Sequence, residues 1–137
     1  AREAARGADI VVLATWSRSP LLDDGDVEPG THITSLSADE PGKAELSPAL
    51  LKSARVIVDD PRLAVTSGAL GTAGLSADAA AGTLGDVLRD TVRGRTSNVE
   101  TTIYTPVGLP WQDLALAWAA YGLARTSGAG RKFDFLG

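Results

Sequence analysis

An α/β fold with a parallel sheet is predicted by three observations. Short apolar runs rich in β-branched residues recur at 10–14, 31–36 and 55–59, a helix between the second and third carries its own start signals, and small-residue turns follow the first two runs. Strands whose side chains do not alternate polar and apolar are expected to be covered on both faces, as in sheets built through crossover helices.

The elements follow in order. Ala1-Arg2-Glu3-Ala4-Ala5-Arg6 reads as the last turns of a helix, running straight into a strand at 10–14 that Asp9 and Thr15-Trp16-Ser17 bound. A start in the middle of an αβ repeat, together with the absence of methionine, predicts a fragment of a longer chain. After the strand at 31–36, Ser47 as N-cap and Pro48 at the first helical position open a helix that ends before the strand at 55–59. Pro61 opens another helix, to about residue 67, and the Ala, Gly and Ser rich stretch 68–82 reads as a loop. Thr83-Leu84-Gly85-Asp86 has the shape of a capping box with Asp in place of Glu, so a short helix to about residue 92 is expected. Gly94-Arg95-Thr96-Ser97-Asn98 is a turn, and Thr101-Thr102-Ile103-Tyr104-Thr105 is β-prone and reads as the last strand. Gly108-Leu109-Pro110 leads into the clearest helix, where Trp111, Leu114, Trp118, Tyr121 and Arg125 recur at helical spacing and Gly128 sits at the C-cap. That stripe is expected to be a buried helix face or a subunit contact.

Composition narrows the function. With 137 residues, 44% hydrophobic and 22% charged, the chain is long enough for one core. Its net charge of −4 without a Lys/Arg cluster argues against nucleic acid as a partner. No window approaches the roughly 20 apolar residues of a membrane span, and the start lacks the apolar core of a signal peptide. Zero cysteines rule out disulfides and thiolate metal sites, so the expected location is the cytoplasm. His32, the only histidine, lies within a strand, where a packed, hydrogen-bonded role is expected and a metal site is not.

In open α/β sheets ligands bind beyond the carboxyl ends of the strands. Three turns qualify: 15–20, 36–43 and 59–62. The second carries Asp39, a carboxylate at a strand end whose pKa would rise toward the range of proton transfer if apolar backbone walls it. Its alternative role is to cap the turn before Pro41. Lys43 reads either as a solvated residue or as a ligand contact, Thr15 as a turn hydroxyl or a binding group. Asp59 and Asp60 are adjacent and point to opposite faces, which prevents them from acting as a pair.

The wording Ser37-Ala38-Asp39-Glu40-Pro41-Gly42-Lys43-Ala44-Glu45-Leu46 resembles the signature of the ornithine cyclodeaminase and mu-crystallin family. Supporting likeness lies at 9–15, at 94–98 and at Val107-Gly108-Leu109-Pro110-Trp111-Gln112-Asp113-Leu114-Ala115. The resemblance implies a Rossmann-type nucleotide-binding domain, of which residues 1–107 would supply the later half. Residues 108–137 would form the helix and tail that return to a substrate-binding and dimer-forming domain. It implies NAD or NADP as cofactor, with Thr15, Leu36, Ser37, Ala38, Lys43 and Ser97 as its contacts. Asp39 would be the catalytic acid or base, and Asn98 the substrate contact. Asn98 stands where the family usually has Asp, so a neutral amino acid or cyclic imine is expected rather than ornithine.

The implied activity is hydride exchange at the α-carbon of an amino acid or cyclic imine. A cyclodeaminase-like outcome is expected first, with ketimine or pyrroline-2-carboxylate reductase and alanine dehydrogenase-like outcomes as alternatives. A non-catalytic mu-crystallin-like binding protein is the reading of another class, and chance likeness on an unrelated α/β domain is the third. The parent is expected to be a homodimer. No G-x-G-x-x-G is present for the pyrophosphate, so the isolated chain is expected to be inactive.

Overall fold

The computed structural model describes residues 1–136 and divides into two compact units, Ala1–Val107 and Gly108–Gly137. In the first unit a short helix, α1 (Arg2–Ala5), leads into β1 (Ile10–Leu13), β2 (Arg18–Leu22), a 3-10 turn at Asp24–Asp26, β3 (His32–Ser35) and β4 (Ala44–Leu46). Then come α2 (Pro48–Ser53), β5 (Arg55–Val58), α3 (Pro61–Thr66), α4 (Ala69–Thr72), β6 (Ala80–Thr83), α5 (Leu84–Leu88) and β7 (Thr102–Tyr104). Five strands form one all-parallel sheet in the order β1-β3-β7-β5-β6, and β2 and β4 pair parallel in a second, two-stranded sheet.

Three helix starts in this unit are those the sequence announces. The Ser47 hydroxyl accepts from the Leu50 N–H at 3.1 Å and Pro48 opens α2. Asp60 accepts from the Arg62 and Leu63 N–H groups at the start of α3, and Thr83 and Asp86 form the reciprocal box of α5. α5 stops at Leu88, earlier than expected, because Asp90 takes a left-handed conformation at φ 56°, one that an aspartate tolerates.

Three other expectations fail on the fold. The stretch 68–82 is not a loop: it holds α4, a 3-10 turn at Ala77–Ala79 and most of β6. β6, Ala-Ala-Gly-Thr, is an edge strand of low β propensity with an irregularity opposite Val56 and Ile57, so its ladder is visible only in three dimensions. β2 carries Pro20, which hides a strand in the sequence and is compatible with its two-stranded, bulged pairing to β4.

The third concerns burial. One face of the large sheet packs Ile33, Ile103, Val56 and Val58 against Leu22, Leu46, Leu50, Leu51 and Leu70, all buried. Each such side chain contributes about 1.5–3 kcal/mol by leaving water. The other face is not covered as the apolar runs suggested. Ile10 and Val12 are 68% and 61% exposed, because the α5 segment lies over only part of that face; Leu84 and Val87 line an open cleft of about 480 Å³ with His32, Ile57 and Tyr104.

The second unit is α6 (Pro110–Ser127), closed by Gly128 in the left-handed conformation at φ 70°. The Gln112 side chain accepts from the Leu109 N–H at 3.1 Å at its start. None of its side chains is buried, contrary to a buried stripe: Trp111, Leu114, Trp118 and Tyr121 are all exposed. No helix among the described residues is long and apolar enough to cross a membrane.

Candidate active site

Parallel pairing places the ends of β1, β3, β7 and β5 on one side of the sheet, and four turns leave it there. Backbone pairing between β1 and β3 stops with the Leu36 N–H on the Leu13 carbonyl at 2.9 Å, and beyond that bond the two chains part. Thr15 follows β1 by two residues, and Leu36, Ser37 and Ala38 follow β3 directly. Leu36 is 46% exposed, Ser37 half-buried and Ala38 buried.

The turn then reverses at Pro41-Gly42. Gly42 has φ 84°, and the Lys43 N–H closes on the Glu40 carbonyl at 3.2 Å, a geometry that demands glycine after the proline. The reversal sends the chain into β4 and brings the Lys43 ammonium within 2.8 Å of Asp39 Oδ1 and 3.8 Å of Glu40 Oε1. The Lys43 side chain is only 7% exposed, and its ammonium sits 4.3 Å from the centroid of the Trp16 ring. The Asp39 side chain is 46% exposed, so the apolar wall expected around it is absent and its partner is a cation.

The sequence reading missed Glu45. This residue is 1% exposed, and its carboxylate accepts from the Thr15 N–H at 2.7 Å and hydroxyl at 2.8 Å through Oε1, and from the Ser35 hydroxyl at 2.7 Å and Ser37 N–H at 3.4 Å through Oε2. Its signal was a lone carboxylate between apolar neighbours in a three-residue strand. Asp59 does related work on the other side: its carboxylate accepts from the Val107 N–H at 3.1 and 3.0 Å and so fixes the turn after β7. In that turn Thr105 is 1% exposed and its hydroxyl has no hydrogen-bond partner among the described residues.

Ser97 and Asn98 lie elsewhere. They precede β7, both exposed, and the Asn98 carbonyl crowds Gly30 ahead of β3, where an added Cβ would come within 2.4 Å of it. That is the amino end of the parallel strands, opposite the turns of Thr15 and Asp39. Nearby, Arg95 donates to the Glu100 carbonyl at 2.6 Å and to the Thr102 hydroxyl at 3.0 Å. Thr102 in turn bonds His32 Nδ1 at 2.8 Å. Partial burial, and then the Arg95 guanidinium, push His32 below its usual pKa of 6.5. No cluster of three or more His, Asp or Glu suited to a metal ion is present among the described residues.

The ornithine cyclodeaminase/mu-crystallin family model matches residues 1–128. The chain belongs to this family. The alanine dehydrogenase of Archaeoglobus fulgidus is 38% identical over 98% of this chain and 43% of its own length. The iminosuccinate reductase of Paracoccus denitrificans is 37% identical over 93% of this chain and 40% of its length. A solved archaeal alanine dehydrogenase dimer with bound NAD superposes with a TM-score of 0.90 at 37% identity, covering 98% of this chain and 43% of that one. The α/β architecture with its parallel sheet is thus part of a Rossmann-type domain, and the chain spans less than half the length of the curated relatives it matches.

Proposed function

We propose that the full-length protein carrying this chain is an NAD(P)-dependent oxidoreductase that interconverts an amino acid and its imine. The observation that carries this reading is the convergence of Thr15, Leu36, Ser37, Ala38, Lys43 and Asp39 beyond the carboxyl ends of β1 and β3. The two relatives at 38% and 37% identity bear dehydrogenase and reductase names and support this outcome, while a relative named as a cyclodeaminase at 35% keeps cyclodeamination as the alternative.

The residues fit the cofactor at its reacting end. Leu36 offers an exposed apolar surface to a flat ring, Ser37 and Ala38 allow close approach, and the buried Thr105 hydroxyl, unpartnered among the described residues, marks polar capacity left open. When bound, the cofactor supplies or takes the hydride. Thr15, Leu36, Ser37, Ala38 and Lys43 would position it, and Asp39 would move a proton to or from the substrate nitrogen, with Lys43 holding the carboxylate at 2.8 Å in readiness. Ser97 and Asn98, on the opposite side of the sheet, have no part in this site. Residues 108–137 would belong to the substrate and dimerisation domain, with the exposed aromatic side of α6 contributing to a homodimer.

The test is fluorescence titration of the full-length protein with NADH and NADPH, followed by nucleotide oxidation with Δ1-pyrroline-2-carboxylate, iminosuccinate, or pyruvate plus ammonia. Saturable binding with consumption of reduced nucleotide is expected. Binding without turnover of any imine would point to the non-catalytic alternative, and ammonia release from ornithine without net nucleotide oxidation would restore cyclodeamination. Absence of nucleotide binding would overturn the reading.

A further inference from the structure

We infer that Glu45 is a positioning residue for the cofactor, a buried carboxylate that fixes the gap between the turn after β1 and the turn after β3. The inference rests on the reading just given. Its basis is where the bonds begin. The β1–β3 ladder ends at Leu36 and Leu13, and Glu45 takes over beyond that point, bridging Thr15 to Ser35 and Ser37 across the parting strands. A crevice that receives a ligand must open there, and flexible walls would have to be ordered by the ligand itself, which lowers affinity.

The chemistry requires an acceptor with no donor of its own. Four protons point at this side chain, two of them backbone N–H groups, and an ionised carboxylate can accept all four. A glutamine could satisfy one backbone N–H, but its amide would then face the other. No Lys or Arg forms an ion pair with Glu45 among the described residues, so neutral donors alone stabilise the buried charge. A site that needed only filling could be occupied by an apolar side chain at lower cost. Lys43, which closes the turn just before β4, holds Asp39, so this turn and the short strand after it set both the proton carrier and the crevice.

The experiment compares Glu45→Gln with Ser35→Ala in the full-length protein, reading NADH affinity by fluorescence and stability by thermal unfolding without nucleotide. Ser35→Ala removes a partner of Glu45 that lies within β3, before the turns. Glu45→Gln should weaken NADH about tenfold while kcat at saturating NADH stays within about threefold. Ser35→Ala should lower the unfolding temperature and leave affinity within about twofold. Equal affinity in Glu45→Gln and the parent protein, or affinity losses that follow stability alone in both variants, would overturn the role of Glu45. A wild-type protein that binds no NADH would instead remove the function on which it rests. Amide exchange in the wild type needs no variant to fold: slow exchange of the Thr15 and Ser37 N–H groups before NADH is added supports the inference. Fast exchange that NADH alone suppresses would overturn it.

Discussion

Two of the three carboxylates in the segment 36–46, Asp39 and Glu45, lie at the same end of the sheet in opposite surroundings. Asp39, on the rim, is half open to solvent and held by a single ammonium; Glu45, on the floor, is closed off and held by four neutral donors. A group that exchanges protons with a substrate must be reachable and hold few fixed partners, whereas a group that fixes backbone must be saturated and dry. Only five residues lie between these two tasks. Lys43 lies between them, its stem buried and its charge delivered to the rim.

The largest expected effect tests the rim. Asp39→Asn in the full-length protein should lower kcat about a thousandfold with NADH affinity within about threefold, measured by steady-state kinetics and fluorescence titration. The side chain is half exposed and Asn keeps an acceptor for the buried Lys43 ammonium, which also has Glu40 at 3.8 Å, so stability should fall by no more than about 1 kcal/mol. Undiminished turnover would deprive the rim of its proposed task. Glu45→Ala should invert the pattern on the floor, costing about 2–4 kcal/mol in urea unfolding because it strands buried donors. A loss below about 1 kcal/mol would mean that the floor carries no more weight than the rim. Smaller still, Ser47→Ala should cost about 1 kcal/mol, since the Ser47 hydroxyl caps α2, donates to Asp23 Oδ1 at 2.5 Å and anchors the strand that carries Glu45.

How far the sequence could be read follows the same division. The rim was legible because local rules produce it: Pro41-Gly42 dictates the reversal, and the reversal makes Asp39 and Lys43 neighbours four residues apart. The floor was not, because Glu45 acquires its partners from residues 10 and 30 positions away, and no local pattern encodes that meeting. Strand cores at 10–13, 32–35, 55–58 and 102–104 were visible through their β-branched residues. β2, β4 and β6 were not, since a proline, a three-residue length and an Ala-Gly composition each remove the signal on which strand recognition depends. The turn 94–98 was readable as a turn, yet only the parallel register assigns it to the amino side of the sheet, away from Asp39.

The smallest effect concerns that far side, where a titrating group lies outside the proposed site. His32 is held below its usual pKa, first by partial burial and then by Arg95, so the unfolded chain binds a proton more readily than the folded one. Its contribution is therefore present above about pH 6.5 and is lost as pH falls from there through the folded value. The groups around it do not share that window. Thr34 and Thr102 bond its ring without titrating, Arg95 stays charged, and Glu100 is held below the ordinary carboxylate range by the Thr96 N–H and hydroxyl. Asp23 is likewise lowered by the Ser47 hydroxyl and the Asp24 N–H, Asp60 by the Leu63 N–H, and Asp86 by the Thr83 hydroxyl and N–H, so their stabilisation persists until the medium is more acidic. Thermal unfolding should therefore show a small fall in midpoint between pH 7.5 and 5.5, and His32→Gln should flatten it. If the fall survived unchanged in that variant, the acid sensitivity would not come from His32, and its burial beside Arg95 would carry no weight in stability.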